Sequence, residues 1–292
     1  MSRIAYVNGR YVPHGRASVH VEDRGYQFAD GVYEVCEVKN GYLIDQTRHL
    51  ERLDRSLNEL KMRWPVARDA LPGILGEVVR ANRVMDGLVY LQVTRGVAKR
   101  DHAFPAATTK PALVVTARAA DPLAAEEKAI KGISAITVPE TRWDRVDIKT
   151  VGLLSNVLAR QNAVEEGAQE ALFVDEAGIV KEGASTNAWI VTKDRVLVTR
   201  PAEHGILRGI TRQGVIDVAE KHGLSIQERG FTVEEALDAL EMFVTSATSI
   251  VMPVVRLDGH SIANGEPGSV VRDLRGAFHS VAERTPVYGQ LN

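Results

Sequence analysis

Apolar and polar positions alternate in two different rhythms along this chain, and the switch between them marks out its elements. The opening IAYVNG and RYVP read as short strands, joined by Asn8-Gly9, the dipeptide favoured in two-residue hairpins because both positions tolerate positive φ. VYEVCEV, Lys39-Asn40-Gly41 and YLID repeat the pattern, with Val35 and Val38 loosely in strand period. From Thr47, taken as an N-cap, Leu50, Leu53, Leu57 and Leu60 recur at spacings of three and four, which predicts a helix with one buried face. Leu75, Val78 and Val79 predict a second helix over residues 71–82, and LVYLQVTRG and ALVVTARA follow as β-branched strands.

Residues 119–127, with Asp121-Pro122 and several alanines, are the candidate interdomain linker. Beyond them GISAITV predicts a strand, and residues 152–167 a helix that ends on Gly167 and buries Leu153, Leu154, Val157, Leu158 and Val164. EALFVDEAGIVKEG and AWIVTKDRVLVTRP are hairpin-like, and ITRQGVIDVAEKHGL is a glycine-bounded helix. Strands grouped beside helices give an α+β class with two domains, residues 1–120 and 121–292.

Composition narrows the possibilities without adding to them. A chain of 292 residues, 45% hydrophobic and 25% charged, is ordinary for a globular protein. A net charge of -2 gives no case for nucleic acid. Cys36 is the sole cysteine, which excludes an internal disulfide and a thiolate metal cluster, and no metal site is expected. The start carries no signal-like apolar stretch and no run is long enough to cross a bilayer, so a cytoplasmic protein without membrane association is expected.

Candidate chemistry gathers at a few positions. Lys149, in RVDIKTVGLLSN, lies between a strand-like segment and a helix start; position alone leaves it open between a solvated lysine and a nucleophile activated by burial. Leu207, Ile210 and Thr211 surround the entrance of the glycine-bounded helix, where free N–H groups suit a phosphate, although a plain capped helix reads the same way. Ser246 and Ala247, in the TSATS turn, are a second candidate anion cradle, and Arg52 a candidate cationic partner. Glu182 could hold a proton on a ring nitrogen, and Tyr33, Arg100 and His102 could bind a carboxylate.

The segments EDRGYQFADGVYEV, VTRGVAKRDHAFP, RWDRVDIKTVGLLSNVLA, EGASTN, ILRGITR and FVTSATS occur in an order that resembles the D-amino acid aminotransferases. The resemblance covers almost the whole chain and implies a fold type IV, pyridoxal-phosphate-dependent enzyme with its cofactor in the interdomain cleft. By it, Lys149 is the Schiff-base lysine and proton shuttle, and Glu182 pairs with the pyridine nitrogen. Arg52, Ile210, Thr211, Ser246 and Ala247 form the phosphate cup, and Leu207 props the ring. Tyr33, Arg100 and His102 trap the carboxylate, with the Arg100 and His102 loop supplied by the neighbouring subunit of a homodimer. The implied reaction is transamination between D-amino acids and 2-oxo acids. Ala29, Glu37, Ala184 and Ala247 depart from the family pattern, and Glu37 bears on which side chains are accepted. The rival readings are a branched-chain L-aminotransferase, an (R)-amine transaminase, an aminodeoxychorismate lyase and a non-catalytic cofactor-binding protein.

Overall fold

The computed structural model describes residues 3–203 and 205–288. By contacts the chain divides into two units: one holds the residues up to Pro122, Ile148–Gly152 and the stretch from Glu283 onward, the other Leu123–Asp147 and Leu153–Ala282. Lys149 therefore belongs to the first unit, within a five-residue stretch, Ile148–Gly152, flanked on both sides by segments of the second.

The first unit contains β1 (Ile4–Val7), β2 (Arg10–Pro13), α1 (Arg24–Phe28), β3 (Gly31–Lys39), β4 (Tyr42–Ile44), α2 (Gln46–Glu59), α3 (Leu71–Ala81), β5 (Gly87–Thr94) and β6 (Ala112–Ala119). After α4 (Pro122–Lys131), the second contains β7 (Ile133–Pro139), α5 (Leu154–Glu165), β8 (Glu170–Val174), β9 (Val180–Gly183), β10 (Asn187–Val191) and β11 (Leu197–Thr199). It continues through α6 (Ile210–Lys221), β12 (Ile226–Glu228), α7 (Val233–Leu237), β13 (Glu241–Ser246), β14 (Ile250–Leu257), β15 (His260–Ser261) and α8 (Ser269–Ala277). The closing strand β16 (Arg284–Pro286) returns to the first unit.

A seven-stranded sheet in the order β16-β4-β3-β5-β6-β1-β2 forms the first unit, and a nine-stranded sheet along β12-β11-β10-β13-β14-β7-β8-β9, with β15 beside β14, forms the second. Both expected hairpins are present: Val7 pairs with Arg10 and Lys39 with Tyr42, and Asn8, Gly9, Asn40 and Gly41 all have positive φ, as a tight primed turn requires. In β3, after the buried Gly31, the buried positions are Val32, Glu34, Cys36 and Val38, so the inward rhythm includes a glutamate, and Val35 lies on the opposite face from Val38.

Helix α2 buries Leu50, Leu53 and Leu57 in the core, and α3 buries Leu71, Leu75, Val78 and Val79. Thr47 is not the cap of α2: the helix begins at Gln46 after Asp45, and the Thr47 N–H and hydroxyl both donate to Glu283, at 3.0 and 2.7 Å. The expected linker is the end of β6 and the first half of α4, whose alanines and charged residues favour helix while giving almost no apolar stripe.

Helix α5 departs most from expectation. Its buried residues are Ala159 and Ala163, set against β8 with Val138, Ala171 and Phe173, whereas Leu154, Val157, Leu158 and Val164 are exposed. Its end is as expected: Gly167 has φ +69°, its N–H donates to Val164 O, and Ala168 N–H donates to Ala163 O, the paired bonds of a glycine-terminated helix. Among the described residues no helix is long and apolar enough to cross a membrane.

Candidate active site

In the first unit, Lys149 is fixed by backbone pairing to β3. Tyr33 N–H donates to Lys149 O at 3.0 Å, Val151 N–H donates to Gly31 O at 3.0 Å, and Val32 bridges Thr150. Ile148, just before it, is buried in the core of this unit. The side chain turns toward Tyr33, with Nζ 4.3 Å from the ring centroid, and among the described residues it forms no ion pair. Tyr33 stacks on Tyr90 at 5.6 Å, and burial, then the Tyr33 charge, pushes the Tyr90 hydroxyl up to about 12.

The other face of β3 carries Glu34, which is fully buried. Arg52 donates to both its oxygens, Nε to Oε1 at 2.7 Å and an Nη to Oε2 at 2.8 Å, and His49 Nδ1 lies 2.7 Å from Oε2. Burial alone would raise the Glu34 carboxyl, but the charge and hydrogen bonds of Arg52 and His49 outweigh it and bring it down to about 2. Burial dominates at His49 and lowers it, so the ring is neutral and Nδ1 carries the donated hydrogen. The helix therefore has two adjacent inward stripes. Leu50, Leu53 and Leu57 fill the core, while His49, Arg52 and Ser56 run beside them, with Ser56 Oγ 3.5 Å from Lys149 N.

Arg100 and His102 lie in the exposed loop between β5 and β6, and both meet Phe28: the guanidinium carbon of Arg100 is 4.9 Å from the ring centroid and the His102 ring 5.5 Å away. The structure brings these two together, but among the described residues neither shares a hydrogen bond or ring contact with Tyr33.

In the second unit Glu182 is buried at the end of β9 and accepts from Arg142, Asn187 and Leu207. Arg142 reaches Oε1 at 2.6 Å, and Asn187 Nδ2 and Leu207 N–H each reach Oε2 at 3.0 Å. Arg142 is shared with Glu140, and its guanidinium lies 4.2 Å from the Phe173 ring. Asn187 is a hub. It also donates to Leu207 O at 2.9 Å, and its Oδ1 would lie 2.0 Å from a Cβ at position 209, so a side chain there would force the Asn187 amide to move.

Gly209 is the N-cap of α6 and offers no side chain, so Thr211 lies inside the helix rather than capping it. The N–H groups of Ile210 and Thr211 thus open the helix without intrahelical acceptors, in buried positions, an arrangement suited to an anion. The register of β10 on β13 sets Asn187 opposite Thr245, one residue before the Ser246 turn. There Ser246 Oγ lies 2.7 Å from Ser249 Oγ and 3.1 Å from Thr248 Oγ1, a cluster of hydroxyls around Ala247.

Sequence reasoning does not single out Glu34, His49, Arg142 or Asn187. The spacing of His49, Arg52 and Ser56 beside the leucine stripe, and of Glu34 in step with Val32 and Cys36, carries a signal for the first two. Arg142 and Asn187 have no comparable local pattern.

The first unit thus offers an amine that forms no ion pair among the described residues, and the second an uncapped helix start beside a buried, arginine-paired carboxylate. The amino-transferase class IV family matches residues 31–257. A D-alanine aminotransferase of Bacillus licheniformis is 40% identical over 273 residues, 94% of this chain and 95% of that protein. One of Listeria innocua is 40% identical over 286 residues, 98% of this chain and 97% of that protein. A branched-chain amino acid aminotransferase of T.th., solved with pyridoxamine 5'-phosphate, superposes with a TM-score of 0.89 at 27% identity, covering 96% of this chain and 94% of that one. The chain belongs to the class IV aminotransferase family, and its mixed helix and sheet architecture is the fold of that family.

Proposed function

We infer that this chain is a pyridoxal-phosphate-dependent aminotransferase that moves an amino group between a D-amino acid, such as D-alanine or D-glutamate, and a 2-oxo acid. One observation carries the reading: Lys149, pinned by its backbone to the Tyr33 strand, holds against the Tyr33 ring an amine that forms no ion pair among the described residues. An amine free of a carboxylate partner is what a carbonyl-binding lysine needs.

By their chemistry, the donors within each unit suit the cofactor. The first-turn N–H groups of Ile210 and Thr211, the hydroxyls of Thr211 and Ser246, the Ala247 N–H and the Arg52 guanidinium suit its phosphate. Glu182 suits its pyridine nitrogen, and Leu207 its ring face. When bound, the cofactor supplies an electron sink for the electron pair left at the substrate Cα. The Lys149 amine would be the base that takes the substrate Cα proton and the acid that gives it back. Glu182, its charge paired with Arg142, would supply the carboxylate that keeps the pyridine nitrogen protonated. Tyr33, Arg100 and His102 bind the substrate carboxylate, and this selects the enantiomer whose Cα hydrogen faces Lys149.

A homodimer completes the reading. Arg100 and His102 rest on Phe28 rather than against Tyr33, as a loop serving a neighbouring subunit would, and the exposed Leu154, Val157, Leu158 and Val164 of α5 offer apolar surface for a second copy. The buried free thiol of Cys36 fits the reducing cytoplasm.

The test is a donor screen with both enantiomers of alanine, glutamate and leucine, and (R)-1-phenylethylamine, using pyruvate and 2-oxoglutarate as acceptors. D-alanine or D-glutamate should lead. A preference for L-leucine would assign the chain to the branched-chain group instead, and the absence of turnover with every donor would leave a binding protein.

A further inference from the structure

The loop that carries Arg100 is tied down by an unbroken series of side chains, all in the first unit. Arg100 lies over the Phe28 ring at 4.9 Å, and the buried Arg24 lies over the same ring at 4.8 Å. Arg24 Nε pairs with Asp30 Oδ2 at 2.8 Å, and the same oxygen receives Arg95 Nε at 2.7 Å. Arg95 in turn lies 3.8 Å from the Phe104 ring centroid. The series therefore leaves the loop at Arg100, crosses the α1 segment, and re-enters the loop at Phe104.

Backbone bonds close both ends. Arg24 N–H donates to Gly96 O at 2.9 Å, Ala98 N–H to Glu22 O at 3.3 Å, and an Arg24 Nη donates to Asp101 O at 2.6 Å. A second guanidinium bond from Arg95 reaches Leu60 O at 2.8 Å. Arg100 is exposed and makes no ion pair among the described residues, and its guanidinium rests against the Phe28 ring. A ring quadrupole attracts a guanidinium without consuming its donors, which leaves the N–H fork available to a carboxylate.

We propose that Phe28 and Asp30 are positioning residues for carboxylate recognition: the stack built on Asp30 holds the Phe28 ring, and the ring holds the Arg100 guanidinium in a fixed pose with its fork open. This rests on the reading of Arg100 as a carboxylate ligand. Phe28 and Asp30 then determine how strongly amino acids and 2-oxo acids are bound, while leaving cofactor attachment and proton transfer at Lys149 untouched.

The experiment is a double-mutant cycle on the cofactor-loaded enzyme, using Phe28→Leu, Arg100→Ala and the double variant, with Phe28→Tyr as the conservative control. Phe28→Leu should raise KM for D-alanine and for pyruvate about three- to tenfold, with kcat within a factor of about two. Phe28→Tyr, which keeps the ring, should restore the native KM, and the double variant should be no worse than Arg100→Ala alone. Asp30→Asn should reproduce the KM effect in weaker form, and the visible spectrum of the bound cofactor should match the native protein in every variant. If the Phe28→Leu and Arg100→Ala penalties multiply, or fall on kcat, the positioning role is overturned. If Arg100→Ala leaves KM unchanged, the carboxylate reading itself fails, and the inference with it.

Discussion

Glu34 shows at the scale of one residue how a buried charge sets the acid limit of the fold. Its carboxyl titrates near 4.5 in an unfolded chain and about 2 in the protein. The stabilisation is therefore complete above pH 4.5 and is lost as pH falls from there toward 2, an effect of about 3 kcal/mol. His49, lowered from 6.5 mainly by burial, acts in the same direction, since below pH 6.5 the unfolded ring takes a proton that the folded ring resists. Denaturant midpoints should fall as pH drops below 6.5 and more steeply below 4.5, with Glu34→Gln removing the steeper part. At neutral pH that variant should cost about 3–5 kcal/mol, because Arg52 loses its buried anion; an acid profile identical to the native one would refute this account. A second prediction concerns Lys149. Borohydride reduction and peptide mapping should find the cofactor on its peptide, and attachment to any other lysine would sink the assignment. Lys149 stands out in the sequence because its surrounding motif is distinctive. The groups that hold the other candidate residues do not: Arg142 meets Glu182 across 40 residues of chain, and no local periodicity encodes such a meeting.

Among the elements, those whose cause is local can be read from the sequence and those decided by packing cannot. The two Asn-Gly hairpins and the Gly167 terminus follow from which residues tolerate positive φ. Helix α5 reads inside out because periodicity locates an apolar stripe but not what covers it, and close approach to β8 selects the alanine side. Helix α8 shows a similar long-range dependence. Its first N–H groups are capped from β13: Glu241 accepts from Val270 at 3.0 Å and Val271 at 2.8 Å. A Cβ at Gly268 would fall 1.9 Å from the Glu241 carboxyl carbon. Gly268→Ala should therefore displace the cap and cost about 1–2 kcal/mol, seen as a lower Tm. Gly276→Ala, later in the same helix, has nothing within 4 Å of its new methyl group and should be neutral or stabilising by up to about 1 kcal/mol. Equal effects at both positions would rule out the cap as the cause.

For the whole molecule, the proposed dimer gives a prediction that no single subunit can satisfy. Assayed with D-alanine well below its KM, where the inactive Lys149→Ala and the weakly binding Arg100→Ala chains each contribute little, the two should recover about one quarter of native activity when co-expressed in equal amounts, because half of the dimers are mixed and each has one intact site. Activity no higher than the Arg100→Ala enzyme would place both residues in the same chain's site. The path of the chain has a further consequence. The first unit receives its last strand, β16, on the edge of β4, and Glu283 holds Asp45 and Thr47 at the start of α2. Asp45 and Glu283 are 238 residues apart. At the usual elongation rate a ribosome takes on the order of 12–48 s to cover that distance. The unit begun first is thus finished last, and through that interval β4 presents a bare edge and α2 lacks its anchor. A nascent chain stalled before Glu283 should therefore be protease-sensitive in the first unit, and release of the full length should end that sensitivity.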